Sequence, residues 1–465
     1  MVAISSPHFV IFPFMAQGHT IPLLYLARLL WQRQNTVTIF TTPANSPSIR
    51  STLQDTSVSI LELPFPENIN GIPSGVENTD KLPSMLLFTQ FATATKLMQP
   101  QFEKTLDDLK PPVSCIISDI FMGWTQTSAA KKGIPRFGFL GVSGFGITMY
   151  EILGRQRPHS HTTSLDEPFS IPDFPKLTLT RNDFDPPFDQ LEPKGPWVDF
   201  MIEQIIALRN SYGLIVNSFY ELEQVYIDYW NGYIGPKALC VGPFCIAKPM
   251  IFEEDQSIKP KWKNWLDEKM KSRDSVLYVA FGTQAEVSKE QILEIAKGLE
   301  QSEVNFLWVI RSKGMEILEG FEERVKSRGM IVRECVDQME ILRHKSVKGF
   351  LSHCGWNSVT ESICAGVPIL AMPFMAEQYL NARLITEEFG VGVRIRPSSG
   401  SVRGFVKSEE VEKRVREMMD GKNGKEMRKK MKKVGEAACA AMKEGGSSWQ
   451  TLDQLILDVT NYQTN

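Results

Sequence analysis

The chain has 465 residues, of which 42% are hydrophobic and 23% are charged, and its formal net charge is −3. This length is too great for one ordinary core, so it predicts a globular protein with two large domains. The nearly balanced charge gives no reason to expect nucleic acid or an anionic membrane as a partner.

The cysteines and the N-terminal residues indicate the compartment. The seven cysteines form no CxxC pair and no metal-ligand spacing, and their odd number favours reduced thiols in a cytosol. The apolar run at 9–14 contains Pro13, ends in a Gly-His turn and lacks a basic leader, so it predicts a strand and not a signal peptide. No stretch approaches the roughly 20 apolar residues that cross a bilayer. We therefore expect a soluble, cytoplasmic protein.

Short β-rich runs alternate with helical patterns along the whole chain. The first half predicts strands at 8–13, 36–41, 58–63, 113–118, 135–140, 213–217 and 237–241, with helices at 20–32, 84–107, 121–131 and 198–211. The second half predicts strands at 276–281, 305–310, 329–333, 348–352, 368–372 and 391–396, with helices at 288–301, 358–365, 377–389, 408–420 and 425–442. Ser288 and Gln291 form a capping box before one of these helices. This alternation predicts an α/β protein with parallel sheets covered by helices on both faces.

The pattern changes near Val241-Gly242-Pro243, which divides the chain. We predict a first Rossmann-like domain at 1–243, a linker at 244–260 and a second Rossmann-like domain at 261–447. Residues 154–195 are rich in Pro, His, Asp and Ser and predict a long surface loop. Ligands of such sheets bind at the C-terminal ends of the strands, so we expect the site in a cleft between the domains.

Residues 349–358 read GFLSHCGWNS, in which an apolar strand runs into a polar turn and then into a helix. A helix N-terminus offers backbone N–H groups and the positive end of the helix dipole to an anion. His353 and Asn357 stand at this turn and Glu361 one helical turn later, a set that suits a phosphate and a sugar diol. Ser358 and Glu361 also fit a purely structural capping box, which the spacing alone favours.

Together with Gly366-Val367-Pro368 and the closing Glu377-Gln378, this stretch resembles the signature box of plant UDP-sugar-dependent glycosyltransferases of secondary metabolism. The resemblance implies the GT-B fold, in which two Rossmann-like domains face each other across a cleft. It implies a UDP-sugar as co-substrate, a small lipophilic acceptor, no metal and no other cofactor. It also implies that the last helix returns to the first domain, and the apolar stripe of 448–461 suits that docking.

The resemblance also implies a set of donor-binding residues. They are Gly18, Gly282, Thr283, Gln284, Cys335, Val336, Gln338, His353, Gly355, Trp356, Asn357, Ser358, Glu361, Glu377 and Gln378. A closing Gln at 378 is associated in the family with glucose over galactose. Three positions depart from the pattern: Thr283 stands where Ser is more usual, Met372 stands where Trp is common, and Cys335 stands where relatives place a Trp that stacks on uracil. Base–aromatic stacking is worth about 1–3 kcal/mol, so Cys335 predicts weaker or less uridine-selective binding.

His19 follows the first predicted strand, and Asp119 follows another strand of the same predicted sheet. From position alone His19 is an ordinary loop histidine and Asp119 a helix N-cap. A neutral imidazole can instead accept a proton from an acceptor hydroxyl while a carboxylate orients it. Relatives use a His and an Asp in these two contexts as the catalytic pair.

Phe14, Phe121, Trp124 and Phe145 follow predicted strands of the first domain and are candidate walls of the acceptor pocket, although aromatic residues are as often core. Two other patterns do not predict sites. Asp183-Phe184-Asp185 resembles a DxD metal motif but stands in a predicted loop before two prolines, and the glycines at 141, 144 and 146 do not form GxGxxG.

We therefore predict a monomeric, inverting hexosyltransferase that moves glucose from UDP-glucose to a phenolic or flavonoid-like acceptor and forms a β-glycoside. His19 would be the base and Asp119 its orienting partner. Three alternatives remain open. A C-glycosyltransferase would use the same base to attack through a ring carbon, and a non-catalytic UDP-sugar-binding protein would show no turnover. A dehydrogenase with two nucleotide-binding folds would bind NAD in preference to UDP.

Overall fold

The computed structural model describes residues 6–247, 259–310, 320–334 and 336–462. Their internal contacts form two compact units. The first comprises Met1–Gly144, Lys194–Glu253 and Ala441–Asn465, and the second comprises Phe145–Pro193 and Glu254–Ala440. The predicted first domain contains residues 145–193, which here belong to the second unit. Most of the predicted linker, at 248–258, lies outside the described residues.

Strands and helices alternate through the described residues, as predicted. The strands are β1 (His8–Phe12), β2 (Thr36–Thr41), β3 (Ser59–Glu62), β4 (Cys115–Asp119), β5 (Arg136–Leu140), β6 (Phe169–Ile171), β7 (Phe174–Leu179), β8 (Gly213–Val216), β9 (Ala238–Cys240), β10 (Val276–Ala280), β11 (Asn305–Val309), β12 (Gly329–Val332), β13 (Val347–Ser352), β14 (Ile369–Ala371) and β15 (Gly392–Arg394). The α-helices are α1 (Gln17–Gln32), α2 (Ser46–Thr52), α3 (Phe88–Ala94), α4 (Gln99–Asp108), α5 (Trp124–Lys132), α6 (Gly144–Gln156), α7 (Pro196–Arg209), α8 (Tyr220–Tyr229), α9 (Lys261–Lys271), α10 (Lys289–Ser302), α11 (Phe321–Val325), α12 (Gln338–Leu342), α13 (Trp356–Ala365), α14 (Gln378–Arg383), α15 (Ser408–Met419), α16 (Lys422–Met442) and α17 (Ser447–Tyr462).

The sheet of the first unit is parallel, with the strand order β3-β2-β1-β4-β5-β8-β9. Its central strands are buried along their whole length, because helices cover both faces. Along β1, Phe9 packs into the core on one face and Val10 into the core on the other. Phe12 lies opposite Ser118, so β1 and β4 end at the same edge of the sheet. The turns that follow these two strands are therefore neighbours.

The C-terminal helix α17 packs on the first unit. Leu452, Leu455 and Val459 are buried in the same core cluster as the apolar residues of β1 and α1. The hydroxyl of Ser448 donates a 2.6 Å hydrogen bond to the carbonyl of Gly242. This contact fixes the beginning of α17 beside the segment that follows β9.

The sheet of the second unit is also parallel, with the order β12-β11-β10-β13-β14-β15. Ala280 pairs with Ser352, Ser352 with Ala371, and Ala371 with Arg394. Four adjacent strands therefore end at one level. The turns after β10, β13 and β14, which carry most of the predicted donor residues, start from this common edge.

Residues 154–195, predicted as a long surface loop, are not loop throughout. The segment contains the antiparallel pair β6 and β7. Asp183 is fully buried and accepts hydrogen bonds from Nε and Nη2 of Arg383 at 3.0 and 2.8 Å, and from the backbone N–H of Thr180 at 2.8 Å. The first carboxylate of the DxD-like motif therefore belongs to a buried ion pair, and losing either partner would leave an uncompensated charge.

Candidate active site

His19 and Asp119 meet where β1 and β4 end. Nδ1 of His19, in the first turn of α1, lies 2.6 Å from Oδ2 of Asp119. The His19 side chain is 21% exposed, whereas that of Asp119 is fully buried. The other carboxylate oxygen, Oδ1, accepts the backbone N–H of Phe121 at 3.0 Å, so the carboxylate both caps the next turn and orients the ring. Because a carboxylate accepts from Nδ1–H, the basic nitrogen of His19 is Nε2.

An aromatic array, formed by Phe14, Phe88, Phe121 and Trp197, borders His19. The ring centroid of His19 lies 5.6 Å from that of Phe14 and 5.3 Å from that of Phe121. Phe88 and Trp197 continue the array from Phe121, at 5.8 and 5.7 Å. Phe14 is fully buried, whereas the other three are partly exposed. The array therefore presents apolar surface beside the imidazole.

Only two of the four predicted pocket aromatics belong to this array. Trp124 is buried and packs edge-on against Phe12 at 5.9 Å, in the core beneath the sheet. Phe145 is fully buried and belongs to the second unit. Conversely, the sequence did not indicate Phe88 or Trp197. Both stand in or beside predicted helices, where an aromatic residue has the same pattern as ordinary core.

The signature turn joins β13 to α13 through a strained backbone. Cys354 has a φ of +67°, in the left-handed region that residues with a side chain seldom adopt. Its N–H is bound by Ser352 Oγ at 3.1 Å and its carbonyl accepts from Nδ2 of Asn381 at 3.0 Å, which together hold this conformation. The N-cap residue of α13 is Gly355, which has no side chain to cap the helix. A helix start of this kind suits an anion.

His353 is sandwiched between two glycines. A Cβ atom at Gly282 would stand 2.8 Å from Nε2 of His353, and one at Gly355 would stand 2.6 Å from the same nitrogen. Gly282 also has a φ of +73°, so both its backbone conformation and its contact with His353 require glycine at this position. Burial of the ring lowers the pKa of His353 to about 4. At neutral pH the ring is therefore an uncharged hydrogen-bond donor and not a cation.

A hydrogen-bonded cluster links α12 to α13. Nε2 of Gln338 donates to Oγ of Ser358 at 2.9 Å and to Oε2 of Glu361 at 2.6 Å, while the hydroxyl of Tyr278 donates to Oε1 of Gln338 at 3.2 Å. α13 begins at Trp356, so Ser358 is its third residue and does not cap it. Burial raises the pKa of Glu361 to about 7, against the opposing effect of the bond from Gln338.

The closing pair of the box lies at the start of α14. Oε1 of Gln378 accepts two backbone N–H groups of the preceding loop at 3.0 and 3.2 Å. Two N–H donors fix the side-chain oxygen at that end, which leaves the NH₂ group of Gln378 to donate elsewhere. Oε1 of Glu377 accepts from Asn381 at 3.3 Å. Because Asn381 also binds the carbonyl of Cys354, it ties this pair to the signature turn.

The other predicted donor residues occupy several settings. Thr283 and Gln284 follow β10 and are partly exposed. In the first turn of α13, Asn357 is partly exposed and the Trp356 side chain is buried. Val336 packs on the core of the second unit, and Gly18 is exposed in the first turn of α1. Cys335 lies outside the described residues. Within the described ranges, no group of three or more His, Cys, Asp or Glu side chains could hold a metal ion, and no helix is long and apolar enough to cross a bilayer.

Comparisons with known proteins identify the class of this architecture. Residues 257–435 match the family described as UDP-glucoronosyl and UDP-glucosyl transferase. The structure of Glycyrrhiza uralensis UGT73P12, complexed with glycyrrhetinic acid 3-O-monoglucuronide, is similar with a TM-score of 0.89 and 29% identity, over 99% of this chain and 97% of that one. A second similar structure is that of Phytolacca americana UGT2, complexed with UDP-2fluoro-glucose and pterostilbene. It has a TM-score of 0.80 and 28% identity, over 98% of this chain and 100% of that one. The class is that of the GT-B glycosyltransferases.

A relative with high sequence identity shows the family to which this chain belongs. UDP-glycosyltransferase 90A1 of Arabidopsis thaliana is 50% identical over 467 residues, which cover 97% of this chain and 96% of that protein. The chain therefore belongs to the UDP-glycosyltransferase family. It is an enzyme that transfers a sugar from a UDP-sugar to a small acceptor. The family, the fold class and the activity predicted from the signature box are confirmed.

Proposed function

We propose that this enzyme transfers glucose from UDP-glucose to the hydroxyl group of a flat aromatic acceptor, with inversion to a β-glycoside. The observation that carries the proposal is the 2.6 Å pair of His19 and Asp119 beside the aromatic array. A base, its orienting carboxylate and an apolar wall are together what a phenolic hydroxyl needs for activation.

In the proposed mechanism Nε2 of His19 removes the proton from the acceptor hydroxyl. The oxygen attacks the anomeric carbon as the bond from that carbon to the UDP oxygen breaks, and the electron pair of that bond leaves on UDP. Attack opposite the leaving group converts an α-linked donor into a β-glycoside. Asp119 keeps the proton on Nδ1 and stabilises the imidazolium that forms.

The departing diphosphate would be stabilised by fixed groups of the second unit. The start of α13 supplies N–H groups and the positive end of its dipole. His353 would donate a hydrogen bond, and binding of an anion beside the ring would raise its lowered pKa. We propose that this arrangement takes the place of a metal ion in offsetting the charge on UDP.

The aromatic array supports a flat acceptor. Phe121 and Trp197 meet edge to face, with their planes 75° apart at 5.7 Å, so they form a wall with apolar faces in two orientations. An aromatic ring can pack on such a wall edge to face or offset. The Phytolacca americana protein is complexed with pterostilbene. We therefore propose phenols of stilbene or flavonoid shape as the first acceptors to test.

Donor competition tests the proposal. With one phenolic acceptor and equal amounts of UDP-glucose and UDP-galactose, we expect mainly the β-O-glucoside. The reason is that the NH₂ group of Gln378, held by two backbone contacts, would donate to sugar hydroxyls that differ between the two donors. Mass spectrometry measures transfer, and the anomeric coupling constant measured by NMR assigns the configuration.

A clear preference for UDP-galactose or UDP-glucuronate would overturn the sugar assignment while leaving the catalytic pair untouched. Products that resist acid hydrolysis would instead indicate attack through a ring carbon. UDP-glucose binding without turnover across a broad panel of phenols would favour the non-catalytic alternative.

Glu361 predicts that uridine binding depends on pH. We propose that its carboxylate accepts hydrogen bonds from the ribose diol, which the ionised form accepts more strongly because it is charged. Because burial raises its pKa to about 7, the carboxylate becomes protonated as the pH falls through 7. The association constant for uridine, measured calorimetrically, should fall by up to about tenfold from pH 8 to pH 6. Uridine is the suitable probe because it has no phosphate whose own titration would interfere.

The matched control is Glu361→Gln, which keeps the shape and the contact with Gln338 but cannot ionise. This variant should bind uridine more weakly at pH 8 and show no dependence on pH between 6 and 8. An equally steep pH dependence in Glu361→Gln would assign the titration to another group.

A further inference from the structure

A buried guanidinium lies directly behind the catalytic pair. Arg136, the first residue of β5, is 1% exposed. Its Nη2 donates to the backbone carbonyl of Asp119 at 3.0 Å and its Nε donates to Oγ of Ser118 at 2.9 Å. Its Nη1 donates to Oγ of Ser211 at 2.8 Å. One planar group therefore holds two consecutive residues at the end of β4, the second of which is the partner of His19.

This guanidinium has no carboxylate within ion-pair distance among the described residues, and its three partners are a carbonyl and two hydroxyls. Burial lowers the pKa of Arg136 to about 10, and the negative charge of Asp119 opposes that effect. A buried cation without a paired anion is costly to maintain. A neutral side chain could hydrogen-bond to the hydroxyls of Ser118 and Ser211 as well. The hydrogen bonds alone therefore do not explain why a charged residue lies behind Asp119.

We propose that Arg136 is a positioning residue for the catalytic pair: it fixes the backbone at Asp119 and opposes the field of that carboxylate, so that His19 is neutral when the acceptor binds. The proposal rests on the role of His19 as the base. An ionised carboxylate at 2.6 Å stabilises the charged form of the imidazole. A cation behind the carboxylate reduces that stabilisation without occupying any hydrogen-bonding atom of the ring.

The charged side chains of β4 and β5 are those of Asp119 and Arg136. The turn after β4 contributes only the backbone N–H of Phe121, and α7 is followed by Ser211, which is neutral. Removing the Arg136 charge should therefore shift proton affinity in one direction only, toward the protonated imidazole.

Arg136→Met tests the proposal, because methionine keeps an unbranched apolar stem and removes the charge. The midpoint of the acidic limb of the kcat/KM profile should move to higher pH by on the order of one unit. Turnover should consequently fall several-fold at pH 6 and recover toward the wild-type value at pH 9. Binding of UDP should not change. Arg136→Lys keeps the positive charge but loses the planar set of guanidinium N–H donors. Its acidic limb should therefore keep the wild-type midpoint, even if its kcat is lower.

Ser211→Ala is the matched control, since it removes one hydrogen bond of Arg136 and leaves the charge. It should leave the midpoint of the acidic limb unchanged. If Arg136→Met loses the same fraction of activity at every pH, the residue is only structural and the proposal is wrong. The same conclusion holds if the midpoint stays in place or moves to lower pH.

A second readout does not depend on catalysis. The ring protons of His19, assigned by their loss in His19→Asn, can be titrated by NMR in folded wild type and in folded Arg136→Met. A midpoint raised in the variant supports the coupling even if His19 proves not to be the base, whereas normal turnover in His19→Ala would overturn the proposed function alone. An unchanged midpoint in a folded Arg136→Met protein overturns the inference about Arg136.

Discussion

Replacement of His19 by alanine is expected to lower kcat at least about 100-fold, the lower range for loss of a general base. Asp119 could not take over the proton of the acceptor hydroxyl, because its side chain is fully buried. Binding of UDP should barely change, since the proposed partner of the imidazole is the acceptor hydroxyl and not UDP. Initial rates with saturating UDP-glucose and a phenol, beside calorimetric titration of UDP, measure both quantities.

Asp119→Asn is the companion variant. The asparagine oxygen can still accept the N–H of Phe121, but its amide cannot fix the His19 tautomer as a carboxylate does. Since the site of Asp119 excludes solvent, water cannot replace the carboxylate, and the loss of kcat should approach that of His19→Ala. Near-normal turnover in folded His19→Ala would rule out His19 as the base.

The sheets could be predicted from the sequence because their strands are short runs of buried apolar residues. Every strand of the two parallel sheets was predicted within two residues at each end. The pair β6 and β7 was missed, since polar residues such as Ser170 and Lys176 interrupt it within a segment rich in turn residues. The predicted helix at 84–107 is divided, because Pro100 cannot continue a helix and stands at the start of α4.

The local sequence did not show whether a polar side chain near a helix start caps that helix or binds a residue distant in the chain. Ser288 caps α10 as predicted, through the 3.2 Å bond from the N–H of Gln291. The Gln291 side chain, however, binds both backbone groups of Val406 at 2.8 and 2.9 Å. Ser358 and Glu361 likewise have the spacing of a capping box, but both accept hydrogen bonds from the side chain of Gln338. The partner in each case is distant in the chain, so no reading of the local sequence could identify it.

The catalytic pair and the aromatic array illustrate the same limit. His19 and Asp119 could be matched because each follows a predicted strand of one sheet, and parallel strands end at a common edge. Phe88 and Trp197 reach the array from α3 and from the start of α7, at positions that depend on how these helices pack. That packing is set by side-chain shape in the core, which no periodicity in the sequence records.

Gly355→Ala is expected to weaken UDP binding by about 10- to 100-fold. The φ of −56° at Gly355 is open to alanine, so the substitution adds no backbone strain. Its Cβ would instead stand 2.6 Å from Nε2 of His353, and the imidazole would have to leave its place between the two glycines. A displaced ring loses its hydrogen bond to the diphosphate, and bonds to charged groups are worth about 1.5–3 kcal/mol. Calorimetric titration of UDP measures this effect.

Gly154→Ala is the matched control, because a Cβ at that exposed position meets nothing within 4 Å and UDP binding should stay at the wild-type value. A double-mutant cycle then isolates the contact with the ring. In a His353→Ala background the imidazole is absent, so adding Gly355→Ala should cost little further affinity. If Gly355→Ala weakens UDP binding equally with and without His353, the alanine acts on the start of α13 directly, and the imidazole is not the group through which it works.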